Sequence, residues 1–259
     1  MSYTKKIAEI VEQNMKKTNA HKNCAFTLAE VLITLGVIGI VAAMTIPVLV
    51  NSYQKTQTIT QLKEVYSQLN NAMALAKVDN GTDVNAWDLP NSSLVAAETY
   101  FAQTYLMPYL KVIQDCGTTA TAACSHDVGY TSNLSGSTNS FYTLGGASYY
   151  SFTLANGAIV TVQVFSQTGQ SVGESRVYVY MDVNGRTVPN IMGKDTFLVE
   201  LGYGTNDKSK FYPYAYSMNR LSLMTNGDGP DCNRQTGNGA RCFALVMKDG
   251  WKIADDYPW

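Results

Sequence analysis

The chain has 259 residues, 46% of them hydrophobic, 11% aromatic and 15% charged, with 19 Lys and Arg against 20 Asp and Glu. This profile excludes an intrinsically disordered chain, which would pair low hydrophobicity with high net charge. The near-neutral balance gives no basis for the broadly basic surface on which nucleic-acid binding rests, and few charges with 17 Tyr and 20 Gly suit one strand-rich domain plus an appendage.

The charge is unevenly placed. Residues 1–25 hold five lysines (Lys5, Lys6, Lys16, Lys17, Lys22) against Glu9 and Glu12, which leaves the remainder acidic. From Phe26 to Val50 the chain is then apolar except for three threonines and Glu30, and no charge occurs between Val31 and Gln54. As a helix of about 1.5 Å rise per residue, this segment would reach about 37 Å, enough to cross a hydrocarbon core of about 30 Å. The lysines before it predict a cytoplasmic amino terminus and a translocated remainder. A cleaved secretory signal is disfavoured by the length of the apolar run and by the missing small-residue cleavage pattern at its far end. A plain single-pass anchor satisfies hydropathy alone.

Glu30 separates these readings, because a carboxylate at membrane depth costs a few kcal/mol and usually has a partner and a purpose. The run Ala25-Phe26-Thr27-Leu28-Ala29-Glu30, followed by a long apolar helix with Gly36, Gly39 and Pro47, resembles the amino-terminal signal of type IV pilins and type II secretion pseudopilins. The resemblance implies cleavage between Ala25 and Phe26 by a prepilin peptidase, methylation of the new Phe26 amine, and a mature chain beginning at Phe26. Most relatives carry Gly where this chain has Ala25, and the leader is longer here than in many of them. It also implies that Glu30 neutralises the amino terminus of a neighbouring subunit as helices pack into a filament, in keeping with the need of a buried charge for a close opposite one. A Glu30 that snorkels to the interface is the bland alternative. Gly36 and Pro47 weaken the helix locally, and the resemblance assigns them a bend or melted stretch on entry into a filament; both residues are also common in ordinary membrane helices.

Beyond Val50, Ile59, Leu62, Tyr66, Leu69, Met73 and Ala76 recur at spacings of three and four, predicting that the helix continues with one apolar stripe and stops at Asp79-Asn80-Gly81. Residues 1–25 thus read as leader, 26–50 as membrane and assembly helix, 51–79 as its amphipathic continuation and 80–259 as a globular head. Leu94–Leu110 predicts a short helix ending near Pro108, and Ser125–Ser140 a surface loop, while residues 82–146 otherwise lack a clear period. Tyr149–Leu154 and Ile159–Phe165 flank Asn156-Gly157, a strong hairpin signal. Arg176–Val183 alternates valines with tyrosines, and Thr196–Leu201, Phe243–Met247 and, after Asp249-Gly250, Trp251–Ala254 predict further strands. The fold class expected is α+β, a long amino-terminal helix on an antiparallel sheet, with a valine face toward the Leu62 stripe and tyrosines turned outward.

Cys24 falls in the leader, leaving Cys116, Cys124, Cys232 and Cys242 on the translocated side, where oxidation is expected. Three pairings are possible. The short separations favour Cys116 with Cys124 and Cys232 with Cys242, and a zinc site is the rival although neither pair has CxxC spacing. Asp182-Val-Asn184-Gly185-Arg-Thr-Val-Pro189-Asn190-Ile-Met-Gly193-Lys-Asp195-Thr-Phe197 looks like a segment recurrent in pilin-like proteins. Its oxygen donors around a Gly turn make Asp182, Asn184 and Asp195 candidate calcium ligands; the alternative is that Asp182 and Asn184 cap a tight turn. No other cofactor is expected.

Gly169-Gln170-Ser171-Val172-Gly173 matches the GxSxG hydrolase pattern but is followed by a strand signal, and no His lies after His126 to deprotonate the serine. HExxH and phosphate-loop patterns are absent, and sequons at Asn91 and Asn133 argue nothing. The expectation is a pilin-like structural subunit rather than an enzyme, with prepilin peptidase, other pilin or pseudopilin subunits, the assembly platform and the inner membrane as partners, and no nucleic acid. A local basic patch from Lys208, Lys210, Arg220, Arg234 and Arg241 would weaken that last point. The rival class is a membrane-tethered binding protein whose exposed tyrosines engage a ligand without polymerising.

Overall fold

The computed structural model describes residues 26–90, 93–118, 124, 133–136, 149–165, 170–202 and 207–259, and the chain divides after Asn51 into two units. Helix α1 spans Leu28–Asn80. In the first unit its side chains are almost all exposed, large apolar residues from Leu28 to Val50 among them. Hydrogen bonding of the helix type continues past Pro47.

In the second unit the part of α1 beyond Ser52 buries Ile59, Leu62, Val65, Tyr66, Leu69, Ala72, Met73 and Ala76, the expected stripe widened by Val65 and Ala72. The helix stops where expected, with Gly81 at φ +91°, a conformation that costs glycine little. The stripe joins a core with an antiparallel six-stranded sheet of order β1 to β6 in sequence: β1 (Val112–Gly117), β2 (Tyr150–Leu154), β3 (Ile159–Phe165), β4 (Arg176–Asp182), β5 (Thr196–Leu201) and β6 (Phe211–Pro213). Val160, Val162 and Val164, then Val177, Val179 and Met181, then Phe197, Val199 and Leu201 enter this core, as the period of two demands. Polar bonds fix the register of helix on sheet. The Tyr66 hydroxyl donates to the Phe211 carbonyl (2.9 Å) and the Asn70 amide oxygen accepts the Phe211 N–H (2.9 Å), satisfying edge-strand groups that would otherwise face outward.

The β2–β3 hairpin, β4 and β5 form as expected. The helical expectation over Leu94–Leu110 resolves into α2 (Leu94–Phe101), a π-turn over Ala102–Leu106 and a 3₁₀ turn over Met107–Tyr109 that accommodates Pro108. The described residues of 82–146 also supply β1, which no periodicity announced; Asn133–Gly136 is a turn, and the rest of the predicted Ser125–Ser140 loop lies outside the described residues.

Three expectations are corrected. Phe243–Met247 is not a strand but part of helix α4 (Cys242–Lys248), which follows α3 (Arg220–Thr225). Its residues Cys242–Val246 are all buried, so neither helical nor strand periodicity shows in so short an apolar run. Trp251–Ala254 is irregular, and Asp249-Gly250 belongs to the end of α4: the Trp251 N–H reaches the Val246 carbonyl (2.8 Å), with Gly250 and Trp251 both at positive φ. Lastly, the tyrosine face of β4 is not open. Tyr180 is buried in a second cluster with Met192, Leu198 and Ala240, flanked by Tyr149, Tyr178 and Tyr214, because the β4–β5 loop and the segment before α4 cover the middle of the sheet.

Glu98 of α2 is an acid within this core. It accepts the Val164 N–H (3.3 Å) through one oxygen while the other has no hydrogen bond. Burial pushes its carboxyl up to about 8, against the downward pull of the Val164 bond. With the folded value above the ordinary one, the favourable contribution is complete at low pH and is lost as pH rises through about 8. Glu98→Gln is therefore expected to lose less stability than wild type between pH 5 and 9, by roughly 1–3 kcal/mol after allowance for screening. Urea unfolding at the two pH values measures it, and parallel losses in both proteins would contradict it.

Candidate functional site

The amino-terminal site is built by the start of α1. Thr27 precedes the first helical residue, and the Glu30 Oε2 atom accepts both the Thr27 N–H (2.8 Å) and the Thr27 hydroxyl (2.8 Å), while Thr27 Oγ1 accepts the Glu30 N–H (3.2 Å). This reciprocal arrangement is a capping box, which satisfies backbone donors that the first turn leaves unpaired. The Thr27-x-x-Glu30 spacing carries that signal in the sequence, beside the expected roles of Glu30 in lipid and against a neighbouring amine. Phe26 is exposed beside it. Ala25 and Cys24 lie outside the described residues.

Further along, Gly36 and Gly39 have nothing within 4 Å of where a side chain would begin, so no contact within the single chain requires them. Pro47 sits inside the helix, and the Thr45 hydroxyl donates to the Val41 carbonyl (2.9 Å). Helix α1 is the one helix among the described residues long and apolar enough to cross a membrane.

The head is braced by two disulfides, Cys116–Cys124 and Cys232–Cys242, the pairing favoured by the short separations. The second stands against the β4–β5 loop. A side chain at Gly193 would begin 2.6 Å from Cys242 Sγ, and Gly193 is at φ +84°; the Tyr257 hydroxyl donates to the Gly193 carbonyl. Gly185 at φ +63° lies against the Gly157 carbonyl of the β2–β3 turn, with only 2.2 Å for a side chain. Both glycines of the loop are thus required by close backbone approach.

Within that loop Asp182, Asn190 and Asp195 are buried and Asn184 is half-buried. The Asp195 carboxylate accepts the Ile191 N–H through Oδ1 (2.6 Å) and is bonded by the Asn190 N–H as well, while Val183 N–H reaches the Asp195 carbonyl (2.9 Å) and Asp182 faces Thr196 across the strands. Burial first, and the Asp182 charge second, push the Asp195 carboxyl up to about 7. Asn190, absent from the sequence-based ligand set, is also buried in this loop and held at positive φ, a conformation in which Asn is enriched. Asn184 and Asp195 open onto a cavity of about 280 Å³ shared with Gln57, Gln61, Lys194 and Trp259.

Elsewhere the described side chains form no reactive constellation. Ser171 caps the 3₁₀ turn Val172–Glu174, its hydroxyl donating to Glu174 (3.1 Å), which occupies it structurally; His126 and Gly169 lie outside the described residues. The proposed basic patch loses two members, because Arg220 pairs with Asp249 and Asp256, and the buried Arg241 pairs with Asp228 and Asp231.

Residues 20–46 match the prokaryotic N-terminal methylation motif, the signal of type IV pilins and pseudopilins. That motif supports a pilin-like substrate of prepilin peptidase and suggests a membrane-anchored structural protein. No curated protein and no solved structure matches the chain. Residues 48–259, the greater part of the sequence, match the family described as Family of unknown function (DUF6613), and the chain belongs to that family.

Proposed function

We propose that the protein is a structural subunit of a type IV pilus or type II secretion pseudopilus, cut between Ala25 and Phe26, methylated at Phe26 and polymerised through α1. A minor-pilin or pseudopilin role fits a head of this size. The observation that carries the reading is the methylation motif set on a helix whose apolar side chains from Leu28 to Val50 are exposed in the single chain, since so large an apolar surface requires lipid or other helices to cover it. Gly36 and Gly39 support it, because small residues let helix backbones approach closely.

Glu30 has a defined part in this reading. In the single chain it caps its own helix through Thr27; on assembly the carboxylate turns to the free amine of an adjoining Phe26, where a full opposite charge offsets burial better than a backbone N–H. The leader lysines hold the amino terminus in the cytoplasm, and the two disulfides suit an oxidising compartment outside it.

The test is the intact mass of the protein from native membranes and from sheared surface or periplasmic filaments. A chain starting at N-methylated Phe26 in both fractions is expected. Recovery of material that retains residues 1–25 and never enters filaments would refute the proposal.

A further inference from the structure

We propose that the β4–β5 loop is a calcium site, with Asp182, Asn184, Asn190 and Asp195 supplying its side-chain oxygens. The site goes beyond the filament subunit reading and does not depend on it.

Four residues within fourteen positions bring side-chain oxygens into one loop, all of them carboxylate or amide oxygens and none of them sulfur or imidazole. Such a donor set selects hard cations, and calcium accepts six to eight oxygens in loose geometry, so waters or backbone carbonyls complete it. Two carboxylates balance a dipositive ion. Asp182 is fully enclosed and Asp195 nearly so, and a cation bound by both carboxylates offsets the burial of two negative charges.

An independent observation points the same way. Asn190 is 1% exposed, and neither its Oδ1 nor its Nδ2 has a hydrogen-bond partner, although its own backbone N–H bonds the Asp195 carboxylate. Burying a whole amide without partners is costly, and native proteins rarely do it. Asp195 Oδ2 and Asn184 Oδ1 are likewise buried without hydrogen bonds, although both residues border the cavity. A tight turn held by side-chain caps would spend the Asn184 and Asn190 oxygens on N–H groups, and neither of the two is so spent. Lys194 lines the same cavity but its ammonium lies over the Trp259 ring, 5.6 Å from the centroid, and makes no ion pair with Asp195 among the described residues. The backbone is held in place from outside by Gly185 on the β2–β3 turn and Gly193 on the Cys232–Cys242 disulfide, so the oxygens are positioned before any ion arrives.

The experiment uses the full chain in detergent, stripped with chelator. Calcium at a hundred times its Kd is expected to raise Tm by about 5–10 °C, and magnesium at the same concentration by less than half as much. Terbium, excited through the Trp259 indole on the cavity wall, should luminesce and be displaced by calcium, a readout on the wild-type protein that needs no variant. Asp195→Asn keeps the oxygen that accepts the Ile191 N–H and replaces the other by an amide facing Asp182, so the ion-free variant should melt no lower than ion-free wild type while losing the calcium shift and the terbium signal. No calcium shift together with no terbium signal in wild type overturns the proposal, as does an equal response to magnesium or an unchanged calcium shift in Asp195→Asn. Failure here leaves the mass of the mature amino terminus untouched, so the two readings fall separately.

Discussion

Glu30→Ala is expected to abolish incorporation into filaments while leaving the protein in the membrane. The substitution removes the carboxylate that caps Thr27 and, in the proposed assembly, the partner of a neighbouring amine. Loss of the cap costs about 1 kcal/mol and frays only the first turn. Loss of the intersubunit pair is larger, because a buried amine left without its partner costs about 3–5 kcal/mol, and every subunit contact along a filament repeats it. Removing a carboxylate also makes insertion into lipid easier, so membrane fractions should contain the variant at wild-type level or above. Fractionation and electron microscopy of sheared material measure both results, with Glu30→Asp as the conservative comparison. Normal filaments from Glu30→Ala would overturn the pairing of Glu30 with a neighbouring amine, whereas the absence of filaments from wild type, with ligand capture intact in Glu30→Ala, would favour a tethered binding protein that does not polymerise.

The second large effect concerns the Cys232–Cys242 disulfide. Replacing both cysteines by serine should lower stability by about 2–5 kcal/mol, a Tm drop of about 2–4 °C per kcal/mol for a domain of this size. Two contributions combine: release of the constraint on the unfolded chain, and introduction of two hydroxyls where both sulfurs are fully buried. The β4–β5 loop should loosen with it, because Gly193 leans on Cys242, so hydrogen exchange at Ile191–Asp195 should rise more than at β3. Thermal melting and exchange of the double variant check both, and a change confined to the segment around Cys232 would show that the loop is held independently.

Elements decided by one local rule are legible in the sequence. The Asn156-Gly157 hairpin follows from turn chemistry, and the α1 stripe from Ile59 to Ala76 follows from helical spacing. The disulfide pairing followed from sequence separation. Elements buried on all sides are not legible in this way. Residues Cys242–Val246 show no period because all five are buried, and Asp249-Gly250 serves a helix end as readily as a hairpin turn. Tyr180 alternates with valines as an outward residue should, yet Met192 and Ala240, 12 and 60 positions away in sequence, close over it. Arg220 and Arg241 read as free charges because their carboxylate partners are assigned only by folding.

By itself the sequence determined the apolar amino-terminal helix with its single acid, the methylation signal around it, the continuation of that helix into a core element and the central strands, since each is written in residues adjacent or a few positions apart. Only the tertiary structure decided that Tyr180 on the second face of the sheet is covered, that α4 is a helix, and that the Asn190 amide is buried without a hydrogen-bond partner in the loop that holds Asp195. Those outcomes depend on which distant segments exclude water from one another, and burial of that kind is a property of the packed chain, not of any window along it.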